Sequence, residues 1–107
     1  MKIEETNQDG TIILFVTGKM LVGADDDRLR QTVEKHVATG HTEIVLDLDG
    51  LTYIDSAGLG EIVQCRAAVV CRNGTLKLRR IPKRIYDRLS VTRLVSLFED
   101  ADEPPTD

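Results

Sequence analysis

The stretch EIVLDLDGLTYIDSAGLGEIVQCRAAVVC, residues 43–71, decides the predicted fold because it leads from a strand into a helix at a serine. In its first part, a short run rich in β-branched residues predicts a buried strand, formed by Ile44, Val45, Leu46 and Leu48. Asp49-Gly50 then predicts a turn. The apolar, helix-periodic segment that follows predicts a helix over about residues 57–72. Ser56 is therefore expected at or near the N-cap of this helix.

The position of Ser56 has two interpretations, and the residues alone leave both open. A serine oxygen at a helix start can accept hydrogen bonds from backbone N–H groups that have no partner within the helix. Such a cap stabilises the helix by ~1 kcal/mol. A phosphate on the same oxygen would meet these N–H groups and the positive end of the helix dipole. Ser56 is thus both a good structural cap and an acceptable phosphorylation site.

The segments before this stretch predict two strands and a helix. A strand around Ile3 and a second strand over residues 11–17 are expected to pair through a hairpin turn at Gln8-Asp9-Gly10, with Gly18 ending the second strand. The acidic run Asp25 to Asp27 predicts the start of a helix. In that helix Leu29, Val33 and His36/Val37 recur at helical spacing, and Gly40 is expected to end it.

The segments after it predict a strand and one further helix. Asn73-Gly74 indicates a turn before an alternating strand at residues 75–79. Pro82 fits the first position of a helix on which Ile85 and Leu89 lie one turn apart. The apolar group within residues 94–98 is compatible with a short helix or an edge strand. The resulting order β-β-α-β-α-β-α predicts an α/β fold with helices packed on a mixed, mostly parallel sheet.

Length and composition favour one small domain. The chain has 107 residues, of which 41% are hydrophobic and 30% charged, as in an ordinary soluble globular domain. It contains no apolar run near the ~18 residues that cross a membrane, and its start does not resemble a secretory signal. We therefore expect a cytoplasmic protein without a membrane segment.

The net charge of −4 is unevenly distributed, because residues 62–98 contain nine basic side chains and one acidic side chain. Tyr86 is the one aromatic residue near this basic group, and no nucleic-acid-binding motif accompanies it. We interpret the group as a solvated face or a docking patch for an acidic protein. The basic group comprises Lys77, Arg79, Arg80, Lys83, Arg84, Arg88 and Arg93.

Metal and enzyme sites are disfavoured by spacing. Cys65 and Cys71 lie six residues apart on the predicted helix and point to different sides of it, which disfavours a disulfide bond between them. Both are therefore expected to be reduced and to pack against the rest of the domain. Asp47, Asp49 and Asp55 resemble an acidic metal pocket, but turn and cap roles are simpler and no lysine in a matching position completes such a site.

A serine hydrolase is the enzyme alternative for Ser56. The local sequence Ile54-Asp55-Ser56-Ala57-Gly58 is not a GxSxG elbow. His36 and His41 are the two histidines that could serve as a base, one expected in mid-helix and the other in a loop. We expect no catalytic residue in this chain.

Residues 46–63, LDLDGLTYIDSAGLGEIV, resemble the characteristic motif of STAS domains, specifically those of bacterial anti-sigma factor antagonists. The resemblance covers nearly the whole chain. It implies a STAS-type α/β domain over residues 1–98, followed by an acidic tail at residues 99–107. After Gly18, however, this chain has Lys19, Met20 and Leu21, where many members have an acidic residue, a leucine and an aspartate.

The resemblance also implies a function and a set of residues. Ser56 would be phosphorylated by a serine kinase that is itself the anti-sigma factor, and phosphorylation would release the antagonist from it. ATP and magnesium would belong to the kinase, and a phosphatase is a further candidate partner, with no cofactor, metal, nucleic acid or membrane bound by this chain. The alternative is a scaffold or sensory-complex component that associates without switching. The implied partner-binding residues are Asp55, Ser56, Ala57, Gly58, Leu59 and Gly60, with Met20, Leu21 and Asp25 beside them.

Overall fold

The chain begins with a β-hairpin whose two turn residues both have left-handed backbone conformations. Asp9 has φ 54° and Gly10 has φ 92°, the combination that a two-residue hairpin turn requires. Strands β1 (Lys2–Gln8) and β2 (Thr11–Met20) pair antiparallel across it, with Gln8 opposite Thr11. The predicted hairpin is confirmed, and its first strand is longer than expected.

The computed structural model describes residues 1–20 and 28–91, with residues 90 and 91 described by their backbone only. The remaining elements are α1 (Arg28–Ala38), β3 (Glu43–Ile54), α2 (Ser56–Val70), β4 (Thr75–Arg79) and α3 (Lys83–Val91). The four strands form one sheet in the order β1-β2-β3-β4, and β3 is parallel to both β2 and β4. The predicted element order and the mixed α/β sheet are confirmed. The predictions for residues 21–27 and for residues beyond 91 lie outside the described residues.

One face of the sheet forms the hydrophobic core with the helices. Successive side chains of β2, β3 and β4 point to opposite faces of the sheet, so each strand contributes alternate residues to the core. Burying each large aliphatic side chain contributes about 1.5–3 kcal/mol relative to leaving it exposed, so this face fixes the helices on the sheet. The cluster includes Ile12, Leu14, Val16, Ile44, Leu46, Leu76 and Leu78 from the strands, and Leu29, Val33, Val37, Leu59, Ile62, Cys65, Val69, Ile85 and Leu89 from the helices.

The turn predicted at Asp49-Gly50 is wrong, because β3 continues through these residues to Ile54. Between the register pairs Phe15–Asp47 and Thr17–Gly50, β3 advances three residues while β2 advances two. The extra residue forms a bulge, in which the Asp49 N–H donates to Asp47 Oδ1 at 3.1 Å. A Cβ on Gly50 would lie 2.4 Å from Thr17 Cγ2, so any larger residue would have to displace the Thr17 side chain where the two strands approach. The Asp-Gly pair therefore marks a bulge inside a long strand.

Other boundaries shift for local reasons. Gly18 does not end β2, which continues to Met20 through a second register irregularity at Gly18, where φ is 90°. Helix α1 ends as predicted near Gly40, whose N–H donates to the Val37 carbonyl. Helix α3 begins at Lys83, so Pro82 directly precedes its first residue. The carbonyl of Pro82 accepts a hydrogen bond from the Tyr86 N–H.

The two cysteines differ in environment. Both are free, as expected, and Cys65 is buried in the core on α2. Burial raises the pKa of the Cys65 thiol to about 12. Cys71 is exposed beyond the end of α2, so its predicted packing role is wrong. No helix within the described ranges is long and apolar enough to cross a membrane.

Candidate functional site

The junction between β3 and α2 places Ser56 at the first position of a helix. Asp55 is the N-cap, with an extended backbone (φ −104°, ψ −177°), and its Oδ1 accepts the Gly58 N–H at 2.9 Å. Ser56 therefore lies next to the N-cap, as predicted, but the interpretation of its oxygen as the cap is wrong, because Ser56 is already the first residue of the helix. The carboxylate of Asp55 performs the capping role, and the side chain of Ser56 is exposed.

The end of β2 packs directly against this junction. The Asp55 N–H donates to the Met20 carbonyl at 3.2 Å. A Cβ on Gly58 would lie 2.8 Å from that same carbonyl oxygen and 2.7 Å from Ile54 Cγ1. A Cβ on Gly60 would contact nothing within 4 Å. Gly58 is thus required by close packing, whereas Gly60 presents open backbone.

The predicted partner-binding residues divide into a presented group and a supporting group. Ser56 and Ala57 are exposed, and Asp55 and Gly60 are partly exposed. Met20, at 2% exposure, and the buried Gly58 and Leu59 lie beneath them. The structure therefore brings seven of the nine residues together, while Leu21 and Asp25 lie outside the described residues.

The sequence model of the STAS domain family matches residues 2–104. The chain belongs to the STAS domain family. Its fold is similar to solved structures at low sequence identity. TM1081 from Thermotoga maritima is 24% identical with a TM-score of 0.77, over 88% of this chain and 80% of that one.

Two further structures with this fold are of anti-sigma factor antagonists. SpoIIAA in its unphosphorylated form is 16% identical, with a TM-score of 0.73 over 87% of this chain and 82% of that chain. An antagonist from Mycobacterium paratuberculosis is 19% identical, with a TM-score of 0.71 over 98% of this chain and 86% of that chain. At these identities the similarity shows the fold, and the STAS fold predicted from the motif is confirmed.

Helix α2 of this STAS domain is also fixed against α1 by a buried carboxylate. Glu61 is only 6% exposed, and its Oε2 accepts the Arg30 N–H at 3.1 Å in the first turn of α1. The guanidinium of Arg30 in turn donates to Gln64 Oε1 at 2.8 Å. A carboxylate at a helix N-terminus is stabilised by unpaired N–H groups and by the helix dipole. This role was not predicted from the sequence, although Glu61 is the single acidic residue of α2 and that was a signal.

Asp47 forms a second buried carboxylate site, on the sheet face opposite the core. Its Oδ2 accepts from Arg79 Nε at 3.0 Å and from Arg80 Nε at 2.9 Å, while the Asp47 side chain is 1% exposed. Burial by itself raises the pKa of Asp47. Hydrogen bonds from the Asp49 N–H, Arg80 and Arg79 outweigh burial, so the pKa lies below its ordinary value. We name Asp47, Arg79 and Arg80 the Asp47 ion cluster.

The Asp47 ion cluster changes two interpretations of the sequence. Arg79 and Arg80 were interpreted as part of a solvated face or a docking patch, yet both hold a buried carboxylate, and Arg80 does so at φ 53°. Asp47 was assigned a turn or cap role and instead joins β3 to the end of β4. Within residues 1–20 and 28–91, no group of three potential ligands could hold a metal ion.

The two histidines make contacts of their own near the end of α1. His36 Nε2 is hydrogen-bonded to Glu5, and His41 Nδ1 lies 3.2 Å from Thr39 Oγ1. The two rings meet edge to face with centroids 5.9 Å apart.

Proposed function

We propose that this STAS domain is an anti-sigma factor antagonist that binds an anti-sigma factor kinase and is released when Ser56 is phosphorylated. The observation that carries the proposal is the exposed Ser56 side chain at the first helical position, beside a carboxylate already engaged as the cap. SpoIIAA and the Mycobacterium paratuberculosis protein, which share the fold, are anti-sigma factor antagonists. Their function is extended to this chain here as a proposal.

The proposed reaction requires little from this chain. Ser56 Oγ forms a bond to the γ-phosphorus of ATP while the bond to the β-phosphate oxygen breaks, and ADP leaves. The hydroxyl proton passes to a base on the kinase, which also holds ATP and magnesium. The STAS domain supplies an accessible nucleophile on a rigid helix start.

The phosphorylated state should remain folded. By helix geometry, the Ser56 and Ala57 N–H groups have no acceptor within α2, and the helix dipole favours an anion at this end. A phosphate adds about −1.5 to −2 charge at pH 7. The domain therefore tolerates the phosphate through its own helix start.

The bound partner, by contrast, would not tolerate it. A kinase surface packed on Ser56 and Ala57 has to accommodate a solvated dianion next to Asp55. This adds bulk and, against any acidic group nearby, repulsion. The proposed switch is a loss of affinity without a change of fold. Met20, Gly58 and Leu59 would hold the surface in shape, and Leu21 and Asp25 remain proposed extensions of it.

The test is to incubate the chain with candidate anti-sigma kinases and ATP and to locate phosphate by mass spectrometry. Phosphate is expected on Ser56 of the parent and not on Ser56→Ala, which should still bind the kinase. Ser56→Asp should bind at least tenfold more weakly while unfolding at the same denaturant concentration. Thr6→Ala removes an exposed hydroxyl from β1 and serves as the matched control.

Two results would contradict the proposal. Phosphate on Ser56→Ala at the parent's level would exclude Ser56 as the acceptor. Equal partner binding by the parent and Ser56→Asp, in an assembly insensitive to ATP, would favour the non-switching scaffold.

A further inference from the structure

A basic, aromatic surface lies beside the Ser56 site. Lys19 of β2 and Tyr53 of β3 are opposite each other in the sheet register, and both are exposed. The next pair, Met20 and Ile54, is buried at 2% and 0% exposure. Because side chains alternate along a strand, Lys19 and Tyr53 share the outward side of this strand pair.

Helix α3 adds two arginines to this surface. The Arg88 guanidinium carbon lies 5.0 Å from the centroid of the Tyr53 ring, within range of a cation–π contact. Arg84 is exposed and precedes Arg88 by four residues, so the two lie on the same side of α3. We name Lys19, Tyr53, Arg84 and Arg88 the basic ridge. Strand β2 and helix α3 thus contribute three positive charges to the surface that contains the Tyr53 ring of β3.

The basic ridge is close enough to Ser56 to be covered by the same partner. Tyr53 precedes Ser56 by three residues, so their Cα atoms are at most about 11 Å apart. On the other side, the Met20 carbonyl next to Lys19 accepts the Asp55 N–H. A standard interface covers about 800 Å² on each partner, equivalent to a disc of roughly 16 Å radius. A protein centred on Ser56 would therefore extend over the ridge.

We propose that the basic ridge is a second contact surface of this STAS domain, onto which an acidic patch of the anti-sigma factor docks. This inference rests on the proposed function and specifies the charge of the partner. Arginine and tyrosine are enriched among residues that dominate binding energy, and each places a large group at a small entropic cost. The Arg88 contact holds the Tyr53 ring before the partner arrives. The charges would accelerate the encounter with an acidic surface.

The first test uses an anti-sigma kinase that binds the parent chain. Lys19→Glu/Arg88→Glu should weaken binding about tenfold to a hundredfold, mainly through slower association, and should flatten its dependence on salt. Arg72→Glu/Lys77→Glu makes the same change in net charge at exposed positions near the start of β4 and should bind like the parent. Lys19→Arg/Arg88→Lys keeps both charges and should also bind like the parent. Circular dichroism checks that each variant is folded.

The second test separates the ridge from the proposed function, because it needs no kinase. A poly-glutamate peptide is titrated into the labelled chain while amide resonances are followed by NMR. Shifts should concentrate at Lys19, Tyr53 and Arg88, should be lost in Lys19→Glu/Arg88→Glu, and should be absent with a neutral glycine-serine peptide. Ridge shifts without kinase binding would reject the antagonist function but retain the acidic preference.

Other outcomes would overturn the ridge proposal. Unchanged kinase affinity in the folded double variant would show that the partner does not use the ridge. Poly-glutamate shifts that are absent, or spread equally over Arg72 and Lys77, would show that the ridge has no preference for acidic chains. A stronger affinity in Lys19→Glu/Arg88→Glu would indicate a basic partner instead.

Discussion

Two aspartates of one strand-to-helix segment, Asp47 and Asp55, have opposite roles. Each accepts a nearby backbone N–H, Asp47 from Asp49 and Asp55 from Gly58. Asp47 is buried on the sheet and forms ion pairs with two arginines, whereas Asp55 remains partly exposed at the start of α2. Local capping chemistry is thus shared, and the neighbouring elements decide whether a carboxylate stabilises the fold or borders a binding surface.

The difference is expected to separate stability from function. The Asp47 ion cluster joins β3 to the end of β4, on a face of the sheet away from the core. The Asp55 junction holds the Ser56 hydroxyl at the exposed start of α2. Asp47→Ala in the first region should lower the free energy of unfolding most, whereas Ser56→Asp in the second should change binding without changing stability.

The largest expected effect is on stability, in Asp47→Ala. Removing this carboxylate leaves two arginines beside a cavity and should cost about 3 kcal/mol in the free energy of unfolding. Asp49→Ala is the matched control, because Asp49 is 67% exposed and lies 4.0 Å from Arg80, so its loss should cost about 0.5 kcal/mol. Urea denaturation measures both. Equal losses in the two variants would remove the distinction between a buried and an exposed carboxylate.

Gly58→Ala should destabilise by about 2 kcal/mol, because the added methyl group is forced against the Met20 carbonyl and Ile54. Gly60→Ala, two residues later on α2, meets open space and should instead stabilise by up to about 1 kcal/mol. Thermal unfolding of the pair compares a packed glycine with an open one in the same helix. The same sign of change in both variants would contradict the packing role of Gly58.

Asp55→Ala should cost about 1 kcal/mol, the usual value of a lost N-cap. Asp55→Asn keeps an oxygen for the Gly58 N–H and should be nearly neutral for stability. The two variants therefore separate capping from charge, and kinase binding measured on Asp55→Asn reports the loss of the charge with the cap kept. A stability loss in Asp55→Asn as large as in Asp55→Ala would show that the cap requires the anion.

The smallest expected effect is a difference in the slope of stability against pH. The pKa of Asp47 is lower in the folded state than in the unfolded chain, where an aspartate has a pKa of about 3.9. Its contribution to stability is therefore complete above that value and is lost as the pH falls below it. Urea denaturation between pH 2 and 5 should show a steeper acid loss in the parent than in Asp47→Asn. Parallel curves would mean that Asp47 is not held ionised by its arginines.

Much of the fold follows from local sequence. Turn residues such as Asp9-Gly10, together with strand and helix periodicity, determine the element order, because each acts over a few neighbouring positions. The Asp55-Ser56 pair likewise predicts a helix start to within one residue. These signals need no knowledge of which strands become neighbours.

Tertiary structure alone decided the rest. Asp49-Gly50 became a bulge because β2 lies alongside with a different residue count, and Gly58 is required because the end of β2 passes beneath it. The ion cluster of Asp47 and the stacking of Arg88 on Tyr53 join residues more than thirty positions apart. Contacts between such distant positions depend on how the sheet and helices assemble, which the periodicity of a single segment does not specify.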